Sequence, residues 1–108
     1  MESGKAYFFA CTLGPAGFPS ERVFTIPLKG GSGLRGVAPA RYCFTAERQP
    51  IDENLDTDEV IDGFVIGIVL GLRKDGVLRL YLPDGNIYEV PNDSITAVPT
   101  RDLGHVSV

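Results

Sequence analysis

The chain has 108 residues, 44% of them apolar and 22% charged, with a net charge of −4. That size favours one domain with a core that needs no metal or disulfide support, and an acidic chain lacks the concentrated basic face that a nucleic-acid backbone requires. No apolar run approaches the roughly 20 residues of a membrane-spanning helix, and "MESGKAYFF" has no basic segment leading into an apolar stretch and cleavage site, so a cytoplasmic protein without membrane partner or cofactor is expected.

Thirteen Gly and eight Pro point to many turns between short strands. The first strands are expected at 5–13, "KAYFFACTL", and 22–29, "RVFTIPLK", with "GPAGFPSE" as the loop between them. Phe24, Ile26 and Leu28 share one face of the second run, and Pro27 argues for an edge position. Cys11 and Cys43 have no metal-like spacing and are expected as reduced core thiols.

"GSGLRG", residues 31–36, has the spacing G-x-G-x-x-G. A dinucleotide site needs a helix after that spacing, so that phosphate meets the helix N-terminus. The next residues are instead "VAPARYCFTAE", a β-type run containing Pro39. A Gly/Ser hairpin tip is therefore expected. The alternative is an anion site built from bare backbone N–H groups and nearby cations, which nominates Lys29, Arg35, Arg41 and Tyr42 as ligand-binding residues.

"ARYCFTAE" (40–47) alternates Tyr42 and Phe44 against Arg41, Cys43 and Thr45, and reads as a further strand. Residues 1–50 carry six Lys or Arg against three acids; residues 51–62 carry six acids and no base. A calcium loop of the EF-hand type starting at Asp52 requires Gly at 57 and Glu at 63. Those positions hold Thr57 and Gly63, and no metal site is assigned. A looser carboxylate pair at Asp56 and Asp58 is the alternative to a solvated loop, which could also lie against the basic N-terminal half.

In "FVIGIVLGLRKDGVLRLYLPDGNIYEV" two Asp-Gly pairs separate runs rich in β-formers, the pattern of an antiparallel meander. Three-residue loops at 74–76 and 83–85 keep apolar residues opposite one another; a one-residue slip would exchange the faces. The first loop sets Leu72 opposite Leu78, Leu70 opposite Leu80 and Ile68 opposite Leu82. The second sets Leu80 opposite Tyr88, Leu78 opposite Val90 and Arg79 opposite Glu89. Phe64, Ile66, Ile68, Leu70 and Leu72 are then expected to face the core. Val65, Val69, Tyr81 and Ile87 fall on the second face with Gly67 and Gly71; it packs beneath residues 1–30, forms a subunit interface, or offers a small-molecule groove over the two glycines. A last short strand is expected at 95–98.

The strand order over 41–98, with one long loop followed by short turns, resembles the Src-homology-3-like small β-barrel. That resemblance implies a mainly β fold, either a small barrel or a strongly curved antiparallel sheet, with residues 1–40 as an N-terminal hairpin extension and 99–108 as a tail. Barrels of that group that bind proline-rich peptides use a Trp-containing aromatic platform, which this Trp-free chain does not have. Catalytic groups do not converge in the sequence: Asp102, His105 and Ser107 stand in the tail, where a triad has little support, and a Cys43–His105 pair has none. The expected function is a non-catalytic interaction module that self-associates through Val65, Val69, Tyr81 and Ile87. The rival is an oligomeric small-ligand binder or enzyme whose site, shared between subunits, uses Arg35, Arg41 and Tyr42.

Overall fold

The computed structural model describes residues 1–51 and 59–100. Eight strands follow one another: β1 (Ala6–Pro15), β2 (Glu21–Pro27), β3 (Gly33–Pro39), β4 (Cys43–Thr45), β5 (Ile61–Leu72), β6 (Val77–Tyr81), β7 (Ile87–Pro91) and β8 (Ala97–Pro99), with a single 3₁₀ turn, Ala40–Tyr42, before β4. They form one antiparallel sheet of order β3-β2-β1-β5-β6-β7, strongly curled into a half-barrel. Among the described residues no helix is long and apolar enough to cross a membrane.

β1 and β5 are the central pair, matched from Ala6 opposite Ile68 to Leu13 opposite Ile61. The outer edge of each is divided between two partners. β1 pairs with β8 at Tyr7–Phe9 and with β2 at Thr12–Pro15; β5 pairs with β4 at Gly63–Val65 and with β6 from Ile68 onward. The divided edges bend the sheet around one apolar interior holding Phe9, Leu13, Phe24, Ile26, Val65, Val69, Leu78, Leu80 and Leu82, all 0–1% exposed.

Both three-residue loops form as the turn residues dictate. Arg73 pairs with Val77 and Leu82 with Asn86, and Gly76 and Gly85 take φ of 85° and 86°, the left-handed conformation that glycine adopts without steric cost. Leu72 lies opposite Leu78, and β7 matches Leu80 with Tyr88, Leu78 with Val90 and Arg79 with Glu89. Arg79 Nε is 3.4 Å from the Glu89 carboxylate.

The expected partners of Leu70 and Ile68 are corrected. The register shifts between Val69 and Gly71, so that Leu80 meets Val69 and Tyr81 meets Ile68. The one extra residue is a β-bulge, which bends the strand and exchanges the faces of everything N-terminal to it. Val65 and Val69 therefore belong to the core at 0% exposure, and Ile68 and Leu70 stand outside. At the start of β5 the same outer face is covered: Phe8 packs edge-on against Phe44, with ring centroids 4.9 Å apart, and 6.0 Å from Phe64.

The β6–β7 turn reaches back to β3. A Cβ built on Gly36 would collide with the Asp84 carboxylate. Asp84 also accepts bonds from Tyr88 Oη (2.5 Å) and the Asn86 backbone N–H (3.0 Å). Asp84→Ala removes these acceptors at once and is expected to cost about 1–3 kcal/mol, read as a lowered urea midpoint; an unchanged midpoint would mean that these bonds do not hold the β6–β7 hairpin.

Candidate functional site

"GSGLRG" is resolved into a turn and a strand. Gly30 and Gly31 take φ of 95° and 94° in the tight connection from β2, closed by the Leu28 N–H on the Ser32 carbonyl at 2.9 Å. Gly33 to Gly36 already belong to β3, so the hairpin tip is shorter than expected. β3 leads into the short 3₁₀ turn and β4; the helix that would receive a phosphate is replaced by strand, which excludes the dinucleotide reading. Arg35 lies opposite Thr25 on β3, and the Lys29 N–H donates to the Ser94 carbonyl at 3.3 Å.

Arg41 and Tyr42 go elsewhere. They sit on the 3₁₀ turn, which Pro39 enters at φ −57°. The turn is held from both ends: the Ala40 N–H donates to the Ser20 carbonyl at 2.7 Å, and the Ala40 and Cys43 side chains are fully buried. Arg41 and Tyr42 are both exposed, and the Arg41 guanidinium lies 4.9 Å from the centroid of the Tyr42 ring, a cation–π contact worth about 0.5–1 kcal/mol at such a site.

Both residues line a cleft of about 450 Å³ together with Ala6, Ile66, Ile68 and Tyr81. Pro39, Gly67 and Pro83 complete the lining, and Lys29 and Arg35 lie outside it. The structure thus brings two of the four nominated ligand residues together with one nominated interface residue.

From the cleft an apolar row runs over the outer face of the sheet. Ile68, Tyr81 and Ile87 are direct neighbours on β5, β6 and β7, and Ala6 extends the row onto β1. Ile68, Tyr81 and Ile87 are 40%, 43% and 53% exposed, and Leu70 continues the patch at 41%; Leu72, expected in the core and opposite the buried Leu78, is instead 46% exposed where β5 ends. Of the nominated interface residues, Tyr81 and Ile87 stand on this surface. Val65 and Val69 do not, because the bulge turns them inward; Ile68 and Leu70 take their places.

Cys11 and Cys43 are both free and buried. Burial, reinforced by Cys43 and Asp62, pushes the Cys11 thiol up to about 12. Burial also pushes Cys43 up to about 11, against an opposing pull from Arg22. Cys43 is thus a protonated thiol at neutral pH, the opposite of an activated nucleophile. Asp56, Asp58, Asp102, His105 and Ser107 lie outside the described residues.

The two thiols make stability depend on pH. Below their ordinary value of 9.0 both are protonated whether the chain is folded or not, and their contribution is constant. Above it the unfolded chain releases protons that the folded chain keeps, so stability falls with rising pH up to the folded values. The urea midpoint is expected to drop between about pH 9 and pH 11, within the interval set by those values, and to drop less in Cys11→Ala. Equal slopes for the two proteins would remove Cys11 as the cause.

No family model, no curated protein and no solved structure matches the chain.

Proposed function

We propose that this chain is a non-catalytic binding module that self-associates through the outer face of β5, β6 and β7. The observation that carries this reading is the unbroken row Ala6, Ile68, Tyr81 and Ile87 across four strands, with Leu70 beside it. Contiguous apolar patches of this kind mark contact surfaces on soluble proteins. A contact between identical copies also needs a surface complementary to itself. The row is bordered on β6 and β7 by Arg79 and Glu89, adjacent and of opposite sign, which meets that need. Kinship with Src-homology-3-like barrels is part of the reading, supported by the curled meander β5–β6–β7 and its three-residue loops.

Light scattering behind size exclusion, over a range of protein concentrations, tests the proposal. A dimer or larger species that dissociates on dilution is expected; a monomer at every concentration overturns it. A second reading, small-ligand binding, is favoured by one observation: the cleft that joins Arg41 and Tyr42 to Tyr81.

A further inference from the structure

The cleft has the size of a small-molecule site, within the roughly 300–1,000 Å³ that such sites span. Ala6, Ile66, Ile68, Pro39 and Pro83 give it apolar walls, and its polar groups are Arg41 and the two tyrosines. Among the described residues Arg41 is the only charged one in the lining, and no carboxylate of theirs stands there beside it. Among the described residues Arg41 forms no ion pair. Its guanidinium is exposed and restrained on one side. Stacking on Tyr42 holds the ring-facing side, and the turn beneath is anchored through Ala40 and Cys43. A stacked guanidinium still offers its in-plane N–H donors, the fork that matches a carboxylate bidentately. One cation among apolar walls suits a single negative charge on an apolar body; a phosphate would leave charge uncompensated.

We propose that this cleft binds a small amphipathic carboxylate, an aryl or alkyl chain with one carboxylate paired to Arg41 and its apolar part against Ile66, Ile68 and Tyr81. The proposal rests on the reading of the chain as a binding module and goes further by giving the ligand's chemical class. Ala6, Ile68 and Tyr81 belong both to the cleft and to the proposed contact, so the acid and a second copy compete for them.

The probe is 4-phenylbutyrate, titrated into the full-length ¹⁵N-labelled protein, with its neutral amide as the matched control. Saturable shifts are expected at residues 39–42, 66–68 and 81–83. Arg41→Gln is expected to weaken the acid about tenfold or more, the loss of one charge-assisted pair, while Arg35→Gln leaves it unchanged. The amide should bind the native protein about as weakly as the acid binds Arg41→Gln. Three results overturn the proposal: no saturable binding, shifts centred elsewhere, or an amide that binds as tightly as the acid. If Arg41→Gln proves misfolded by circular dichroism, the acid–amide comparison on the native protein decides alone. Light scattering on the same samples keeps the two proposals apart. A protein that stays monomeric at every concentration and binds the acid through Arg41 overturns self-association only, and a protein diluted to monomer that is still indifferent to the acid overturns the ligand only.

Discussion

Gly63→Val is expected to remove most of the folded state's stability. Gly63 lies where β5 is hydrogen-bonded on both edges, opposite Cys11 of β1 and Thr45 of β4. A Cβ at this position would run into the Phe44 carbonyl and stand 2.9 Å from Leu13 Cδ1. Leu13 is 1% exposed and packed into the core, so it has little room to turn. The Phe44 carbonyl is backbone and can yield only if β4 moves with it, which would also open the contact between Phe44 and Phe8. Overpacking a core costs about 1–3 kcal/mol, and more where backbone must shift. The strand preference that valine adds is worth at most ~1 kcal/mol. For a domain with roughly 5–15 kcal/mol of stability, Gly63→Ala is then expected to lose about 3 kcal/mol and the valine more. Gly71→Ala is the control. Its new Cβ would have nothing closer than Ser3 Oγ at 3.9 Å, and a change within about 0.5 kcal/mol is expected. Urea unfolding followed by circular dichroism separates the cases; equal midpoints for Gly63→Val and Gly71→Ala would contradict the close packing of β4 on β5.

The β6–β7 register is legible in the sequence because two local signals agree. Pro-Asp-Gly defines a loop length, and the alternation of Leu78, Leu80, Tyr88 and Val90 against Arg79 and Glu89 admits one face only. The β5 register is not legible for the converse reason. From Phe64 to Leu72 every residue but Gly67 and Gly71 is apolar, so both faces read as core and a bulge leaves no mark in the pattern. The interior is chosen instead by partners distant in sequence: Phe9 opposite Val65 on β1 and Cys43 opposite Val65 on β4. The strand β3 is hidden by its glycines, which read as a loop until β2 supplies seven matched partners. Arg41 and Tyr42 draw notice in the sequence only through their nearness to the glycine turn. Their actual neighbours, Ile68 and Tyr81, are joined to them by the curl of the sheet, which no local pattern encodes. The sequence does hold a weak signal for the cleft: Pro39 immediately before Ala-Arg-Tyr breaks the strand and forces the turn that presents both side chains.

Tyr81→Asp is expected to weaken self-association about 100-fold or more while leaving the fold intact. Tyr81 is 43% exposed and its neighbours Leu80 and Leu82 fill the core at 0%, so the substitution changes the surface and spares the interior. Its side chain is the middle of the row, between Ile68 and Ile87. Central aromatic residues of a contact commonly contribute about 2 kcal/mol or more, and an unpaired carboxylate buried there adds a desolvation penalty of several kcal/mol; about 2.7 kcal/mol alone is roughly 100-fold in affinity. Arg79, two places before Tyr81 on β6, is already engaged by Glu89; Arg41 shares the cleft with Tyr81, and pairing with it would reduce that penalty. Phe18→Asp supplies the comparison, since Phe18 is 68% exposed in the β1–β2 loop, away from the row. Adding the same charge there is expected to leave the oligomer unchanged. A folded Tyr81→Asp protein that still assembles would remove the outer face as the contact, and equal loss in both variants would assign the effect to net charge. Salt distinguishes further. A contact carried by Ile68, Tyr81 and Ile87 survives high ionic strength, because apolar burial is not screened and the Arg79–Glu89 border contributes little in water. Dissociation at high salt with Tyr81 unaltered would move the contact from the row to its charged border.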